Sequence, residues 1–196
     1  DIILGLKREK SKINQIKKIL LNTSKKQKIL VFGNGGSSLI ASHFALDVSN
    51  VLNKKCINLS DSGLITCFSN DYGFENWIDR AIKTYANRDD ILFLISSSGT
   101  SKNMINAIKK NKRVFKKIIT LTGKCNSALV SLSDINIQIN SNIYKHDISD
   151  LDWEITSLDD DGMTYVFISE DLIEYNLDSN IFALKIDSLY KDFNGP

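Results

Sequence analysis

Short apolar segments alternate with helical patterns through the first 140 residues of this chain. Five of these segments are typical of buried strands, namely 28–32, 56–59, 91–95, 117–122 and 135–139. Between them, apolar residues recur every three or four positions, as over 7–22 and 75–86, and this spacing indicates amphipathic helices. Strands that are joined through helices pair in parallel. We therefore predict an α/β fold with a doubly wound, five-stranded parallel sheet over residues 1–140.

The composition is that of an ordinary folded domain. The 196 residues are 42% hydrophobic and 24% charged, which argues against disorder and against a coiled coil. The longest apolar runs, such as 91–95, are too short to span a bilayer, so we expect no membrane contact. Cys56, Cys67 and Cys125 lie far apart with no C-x-x-C pair. This spacing predicts reduced thiols and a cytoplasmic protein.

The charge is distributed unevenly along the chain. Residues 150–196 carry nine Asp, three Glu and two Lys, whereas residues 1–149 have a net charge of +12. The lysines of the basic part cluster at helix ends with little aromatic interleaving, so we expect no nucleic-acid partner. We predict two parts, a domain over 1–149 and an acidic extension or truncated second module over 150–196. The extension has strand patterns at 163–169 and 181–187.

Two loops rich in glycine and serine each follow a predicted strand and precede a helix, Gly33–Ser38 and Ser96–Ser101. The first N–H groups of a helix are unpaired and carry partial positive charge, which suits a phosphate. Neither a Walker lysine nor a G-x-G-x-x-G pattern is present, so we expect no nucleotide cofactor. One such loop alone is typical of a turn, in which Ser37 and Ser38 would cap the helix. Two together favour a small phosphorylated ligand.

These residues also carry a resemblance to a known family. Four segments occur in order: FGNGGSSLIASHFA (32–45), LSDSGLITCFSNDYGFENWIDRAI (59–82), ISSSGTSKNMINAI (95–108) and ITLTGK (119–124). Together they resemble the sugar isomerase (SIS) domain family, most closely its sedoheptulose 7-phosphate isomerase (phosphoheptose isomerase) branch. The resemblance covers about 130 residues, up to Ile139, and implies a flavodoxin-like SIS domain.

The resemblance implies a ketose/aldose phosphate isomerase, an intramolecular oxidoreductase. Such an enzyme converts sedoheptulose 7-phosphate into a heptose 7-phosphate through an enediol, for lipopolysaccharide or capsule synthesis. It also implies a homo-oligomer, a dimer or a tetramer. The implied substrate- and phosphate-binding residues are Asn34, Gly35, Ser37, Asn70, Asp71, Ser96, Ser97, Ser98 and Ser101. Asp61 is expected close to Asn70 and Asp71.

His43 and Asp47 match positions where the family has a zinc-binding His and a Glu that also acts as base. The resemblance thus implies Asp47 as the catalytic base and both residues as zinc ligands, with Asp47 one methylene shorter than Glu. The family completes its zinc site with a later helix that bears a Gln or Glu and two His. Here His146 is the only histidine in residues 141–154, and no Gln/Glu-x-x-His motif follows.

Three functional hypotheses remain open on the sequence. The first is a phosphoheptose isomerase, and the second is a non-catalytic SIS module that binds or senses a phosphosugar after losing the later helix. The third is an isomerase of another sugar phosphate.

Overall fold

A computed structural model describes residues 2–124 and 126–139, with side chains from Glu9 onward. These residues lie in one compact unit that ends at Ile139. Cys125, His146, the two strands predicted in the acidic extension and the boundary after residue 149 fall outside the described residues, so those predictions stay untested. None of the described helices is long and apolar enough to cross a membrane.

Five strands form one sheet in which every pairing is parallel. They are β1 (Ile29–Gly33), β2 (Cys56–Asn58), β3 (Asp90–Ser96), β4 (Phe115–Thr122) and β5 (Ile135–Gln138). Their order is β2-β1-β3-β4-β5. This is the flavodoxin-like order, so the predicted doubly wound five-stranded parallel sheet is confirmed.

Within residues 2–124 and 126–139, six α-helices connect the strands or precede them. They are α1 (Ile2–Leu21), α2 (Gly36–Leu52), α3 (Ser62–Tyr72), α4 (Trp77–Tyr85), α5 (Lys102–Asn111) and α6 (Ala128–Leu132). The helix predicted over 75–86 is shorter, because residues 74–76 form a separate 3₁₀ turn before α4. The sequence patterns missed α3 and α6. The predicted serine cap of α2 is wrong: Gly35 is the N-cap residue, and Ser37 and Ser38 lie inside the first turn.

The core lies on both faces of the sheet, because all residues of β1 and β3 are buried. Leu30, Leu92 and Leu94 belong to a buried cluster with residues of α4, α5 and α6, and Phe32 meets Trp77 of α4 edge to face with ring centroids 5.8 Å apart. On α2, Phe44 packs against Phe93 of β3, with centroids 4.8 Å apart. A strand that is buried on both faces has a continuous run of apolar residues, and for this reason β1 and β3 could be predicted from the sequence.

A buried carboxylate fixes β1 beside β3 at their amino ends. Asp90 is fully buried, and its two oxygens accept hydrogen bonds from the backbone N–H groups of Lys28 (2.8 Å) and Asn87 (2.8 Å). The Lys28 Nζ atom lies 3.2 Å from the same carboxylate and balances its charge. Since this contact sets the stagger of the two strands, it also sets where their carboxyl ends meet.

Candidate active site

The two predicted phosphate loops follow neighbouring strands. β1 ends at Gly33 and β3 at Ser96, and Gly33 pairs with Ile95 in the register of the two strands. The strand order changes direction between β1 and β3, and ligands of open parallel sheets bind at such a point, beyond the carboxyl ends. The structure therefore places both loops side by side, where a ligand of this fold is expected.

The first loop turns tightly from β1 into α2. A Cβ atom added at Gly33 would overlap the backbone carbonyl of Ser37, so only glycine lets the helix start this close to the strand. The Ser37 N–H donates to Asn34 O (3.1 Å), and the Ser38 N–H donates to Gly35 O (2.9 Å). As a result, the start of α2 lies directly at the sheet edge.

Internal hydrogen bonds shape the second loop, Ser96–Ser101 between β3 and α5, which we call the serine loop. Ser96 is buried and its Oγ accepts from the Gly99 N–H (3.1 Å), whereas Ser98 Oγ accepts from the Thr100 N–H (3.3 Å). Gly99 has a φ of 63°, and a Cβ there would overlap the Ser127 side chain. Ser97, Ser98 and Ser101 are partly exposed. Ser96 thus holds the loop, while the other three hydroxyls are accessible.

A pair of side-chain amides joins the first loop to the helix that follows the serine loop. Asn34 Nδ2 donates to Asn103 Oδ1 (3.1 Å), and Asn103 Nδ2 donates to Asn34 Oδ1 (2.9 Å). The two helix starts, with their N–H groups and the neighbouring serine hydroxyls, are therefore held together. This arrangement is chemically suited to an anionic, oxygen-rich group such as a phosphate.

A second polar group lies at the carboxyl end of β2 and supports the first turn of α2. Asn58 Nδ2 donates to Ser38 O (3.1 Å) and to Ser42 Oγ (2.6 Å), and the Ser60 hydroxyl donates to Asn58 Oδ1 (2.6 Å). Sequence reasoning missed Asn58 and Asn103. The signal that could have found Asn58 is its place at the end of a strand, next to the first loop.

The proposed base and metal ligand are neighbours on α2. His43 Nε2 lies 3.1 Å from Asp47 Oδ2, and each side chain is about one-fifth exposed (21% and 22%). Zinc takes three or four protein ligands. Among the described residues, no third His, Cys, Asp or Glu joins them in a metal-binding group. This part of the chain therefore does not by itself fit zinc.

The remaining predicted substrate-binding residues lie on α3 or at its start. Among the described residues, no hydrogen bond links their side chains to either of the two loops. Asp61 caps α3, since its Oδ1 accepts from the Leu64 N–H (3.0 Å). Asn70 and Asp71 are exposed at the other end of the helix, where Asn70 Nδ2 donates to Asp71 Oδ1 (3.0 Å). Their predicted substrate contact stays a prediction.

Comparison with known proteins agrees with this geometry. The family model described as "SIS domain" matches residues 3–123. A phosphoheptose isomerase of Glaesserella parasuis is 40% identical over 57% of this chain, and the chain spans 61% of that relative's length. A phosphoheptose isomerase of Histophilus somni is 36% identical over 65% of this chain and 69% of its own length.

Solved structures show the same likeness. The phosphoheptose isomerase of Francisella tularensis has a TM-score of 0.64 and 33% identity, covering 71% of this chain and 77% of that chain. The enzyme of Neisseria gonorrhoeae has a TM-score of 0.61 and 26% identity, covering 70% of this chain and 79% of that chain.

Proposed function

This chain belongs to the SIS domain family, and on that basis we propose that it is a phosphoheptose isomerase. It converts sedoheptulose 7-phosphate into a heptose 7-phosphate, a precursor for lipopolysaccharide or capsule. The observation that carries the proposal is the pair of loops after β1 and β3, joined through Asn34 and Asn103. The similarity to phosphoheptose isomerases supports the choice of sugar.

The phosphate end of the substrate binds at the two loops. The N–H groups that open α2 and α5 donate to phosphate oxygens, and the hydroxyls of Ser37, Ser97, Ser98 and Ser101 add further donors. Asn34 and Gly35 contact the substrate from the first loop. Asn70 and Asp71 contact it from α3. Hydrogen bonds to a charged phosphate are stronger than those to a neutral group, so this end supplies most of the affinity.

The reaction moves a hydrogen from C1 to C2 of the sugar. Asp47 takes a proton from C1 of the ketose while the C2 carbonyl oxygen gains a proton, which gives the enediol. The enediol then loses the proton on O1 and gains one at C2, so that C1 becomes the aldehyde of the aldose. His43 lies 3.1 Å from the Asp47 carboxylate, which supports its role in orienting that base. No nucleotide cofactor enters the reaction.

Zinc, when bound, supplies Lewis-acid polarisation of the sugar oxygens. His43 and Asp47 are the candidate ligands among the described residues, and they fall short of the three or four that zinc needs.

We also propose that the protein is a cytoplasmic homo-oligomer, a dimer or a tetramer. Leu39 and Leu46 support this, because they lie seven positions apart on one side of α2 and are 74% and 59% exposed. Light scattering of the purified chain tests it. A monomer at all protein concentrations would exclude it.

The activity is tested by incubating sedoheptulose 7-phosphate with the protein in D₂O. We expect heptose 7-phosphate with deuterium at C2, and Asp47→Asn should abolish both conversion and labelling. Asp89→Asn is the matched control, because Asp89 is exposed and precedes β3 at the opposite edge of the sheet. If the protein binds sedoheptulose 7-phosphate but neither converts nor labels it, with and without added zinc, it is not an isomerase. The non-catalytic SIS module would then be the better description.

A further inference from the structure

Asn103 is a buried polar residue that takes no part in the proposed proton transfers. It lies in the first turn of α5 and is 2% exposed. Its Oδ1 accepts from the Asn34 side chain and from the Met104 N–H (3.0 Å), while its Nδ2 donates to Asn34 Oδ1 (2.9 Å). The Asn103 amide has one orientation, because both its oxygen and its nitrogen form hydrogen bonds. A 180° flip would place its nitrogen against the Met104 N–H, donor against donor.

The pairing leaves Asn34 with unused hydrogen-bonding capacity. An amide nitrogen carries two hydrogens and an amide oxygen two lone pairs, and the pair uses one of each on Asn34. Asn34 is partly exposed, in contrast to Asn103. Asn34 is therefore the member of the pair that can also bond to a ligand, and Asn103 is the member that fixes its direction.

The pair also sets the distance between the two loops. On one side, Asn58 supports the first loop through Ser38 O (3.1 Å). On the other side, the Gly123 N–H donates to Ser97 O (3.0 Å) in the serine loop. Within the described part of the chain, the two Asn34–Asn103 bonds are the only side-chain hydrogen bonds that link residues 33–38 to residues 96–103.

We propose that Asn103 is a positioning residue that acts through Asn34. It holds the Asn34 amide and the spacing of the two helix starts in the arrangement that binds one sugar phosphate. This inference rests on the proposed function for the identity of the ligand, but it requires only binding and no turnover.

A double-mutant cycle tests the inference. Affinity for sedoheptulose 7-phosphate is measured by calorimetry for the wild type, Asn34→Ala, Asn103→Ala and the double variant. We expect each single variant to bind about tenfold more weakly, the loss of one good hydrogen bond. If Asn103 acts through Asn34, the double variant binds no more weakly than Asn34→Ala. Where turnover is measurable, Asn103→Ala raises KM and leaves kcat nearly unchanged.

Asn111→Ala is the matched control, because Asn111 is a second buried amide at the far end of the same helix. It donates to Asp79 Oδ1 (2.8 Å) and to Ala107 O (3.0 Å). Its removal should lower stability but keep the affinity within about twofold of the wild type. Asn103→Leu, which keeps the number and branching of the side-chain heavy atoms but removes the amide, replaces Asn103→Ala if the latter does not fold, and it should bind as weakly.

The possible results separate the two proposals. Losses that add in the double variant, unchanged affinity in the Asn103 variants, or an equal loss in Asn111→Ala would overturn the role of Asn103. Wild-type binding without turnover would overturn the isomerase activity and leave the role of Asn103 intact. Absence of wild-type binding would overturn both.

Discussion

Gly33 lies opposite Ile95 in the pairing of β1 with β3, so the two central strands end at the same level of the sheet. This register brings the first loop and the serine loop to one edge, although 57 residues (39–95) lie between them in the chain. The amino ends of the same strands are fixed by Asp90, which bonds to the backbone of Lys28 (2.8 Å). The shape of the site therefore depends on contacts at both ends of two buried strands.

Gly99→Ala should destabilise the protein and weaken sugar-phosphate binding. Gly99 has a φ of 63°, and an added Cβ would overlap the Ser127 side chain, so strain and a steric clash act together. We expect a loss of more than about 2 kcal/mol in the free energy of unfolding, measured by urea denaturation. Gly36→Ala is the control for stability, since nothing lies within 4 Å of its added Cβ. Equal stability of Gly99→Ala and wild type would contradict this account of the loop.

Ser97→Ala and Ser98→Ala should each weaken binding of sedoheptulose 7-phosphate by about tenfold, because each removes a hydroxyl donor from a charged ligand. Calorimetry measures the effect, with Ser11→Ala on the exposed side of α1 as control. Both variants should unfold at nearly the wild-type temperature, since these side chains are only partly buried. If both serine variants bind sedoheptulose 7-phosphate as tightly as the wild type, the serine loop does not bind the phosphate.

Asp79 should make the stability dependent on pH in the acid range. Burial opposes its ionisation, but hydrogen bonds from Lys83 (2.9 Å) and Asn111 (2.8 Å), with the charges of Lys83 and Lys110, hold the pKa of Asp79 below its ordinary value of 3.8. A lowered folded-state pKa stabilises the fold above the unfolded-state pKa. The stabilisation is lost as the pH falls through the folded-state pKa.

The measurement is the free energy of unfolding of wild type and Asp79→Asn between neutral and strongly acid pH. We expect the variant to be less stable at neutral pH by roughly 1–3 kcal/mol. The difference should shrink on acidification, whereas exposed Asp89→Asn should show little difference at any pH. A gap that stays constant down to the lowest pH would contradict this origin of the stabilisation.

The two described cysteines should differ sharply in reactivity. Cys56 is buried in β2, and burial raises the pKa of its thiol, while Cys67 is exposed on α3. Because the thiolate is the nucleophile, iodoacetamide at mildly alkaline pH should label Cys67 in the native protein and Cys56 only after unfolding. Tandem mass spectrometry locates the label on each cysteine. Rapid native labelling of Cys56 would show that β2 opens readily.

The two strands that position the site, β1 and β3, could be predicted from the sequence because all of their residues are buried and each strand ends at a turn signal. The α3 helix could not, because none of its residues is fully buried. Its apolar residues Leu64, Ile65 and Phe68 are only partly buried against the core cluster. A helix with such a narrow apolar face leaves a weak periodic signal, and Gly63 at its start weakens the signal further.

The positions of the two glycine- and serine-rich loops could likewise be predicted, because glycine and serine after a buried strand are a local pattern. The Asn34–Asn103 pair could not, since its members are 69 positions apart and nothing local distinguishes either asparagine. The serine cap was predicted wrongly for a related reason. Gly33 allows α2 to begin two residues earlier than a serine cap requires, and only the packing against β1 shows this.

The most direct test compares the binding of sedoheptulose 7-phosphate with that of unphosphorylated sedoheptulose by titration calorimetry. If the two joined helix starts hold the anionic end of the sugar, removal of the phosphate should weaken binding by about 100-fold or more, as expected for the loss of several charge-assisted hydrogen bonds. Equal affinity for the two sugars would show that the loops after β1 and β3 do not bind phosphate.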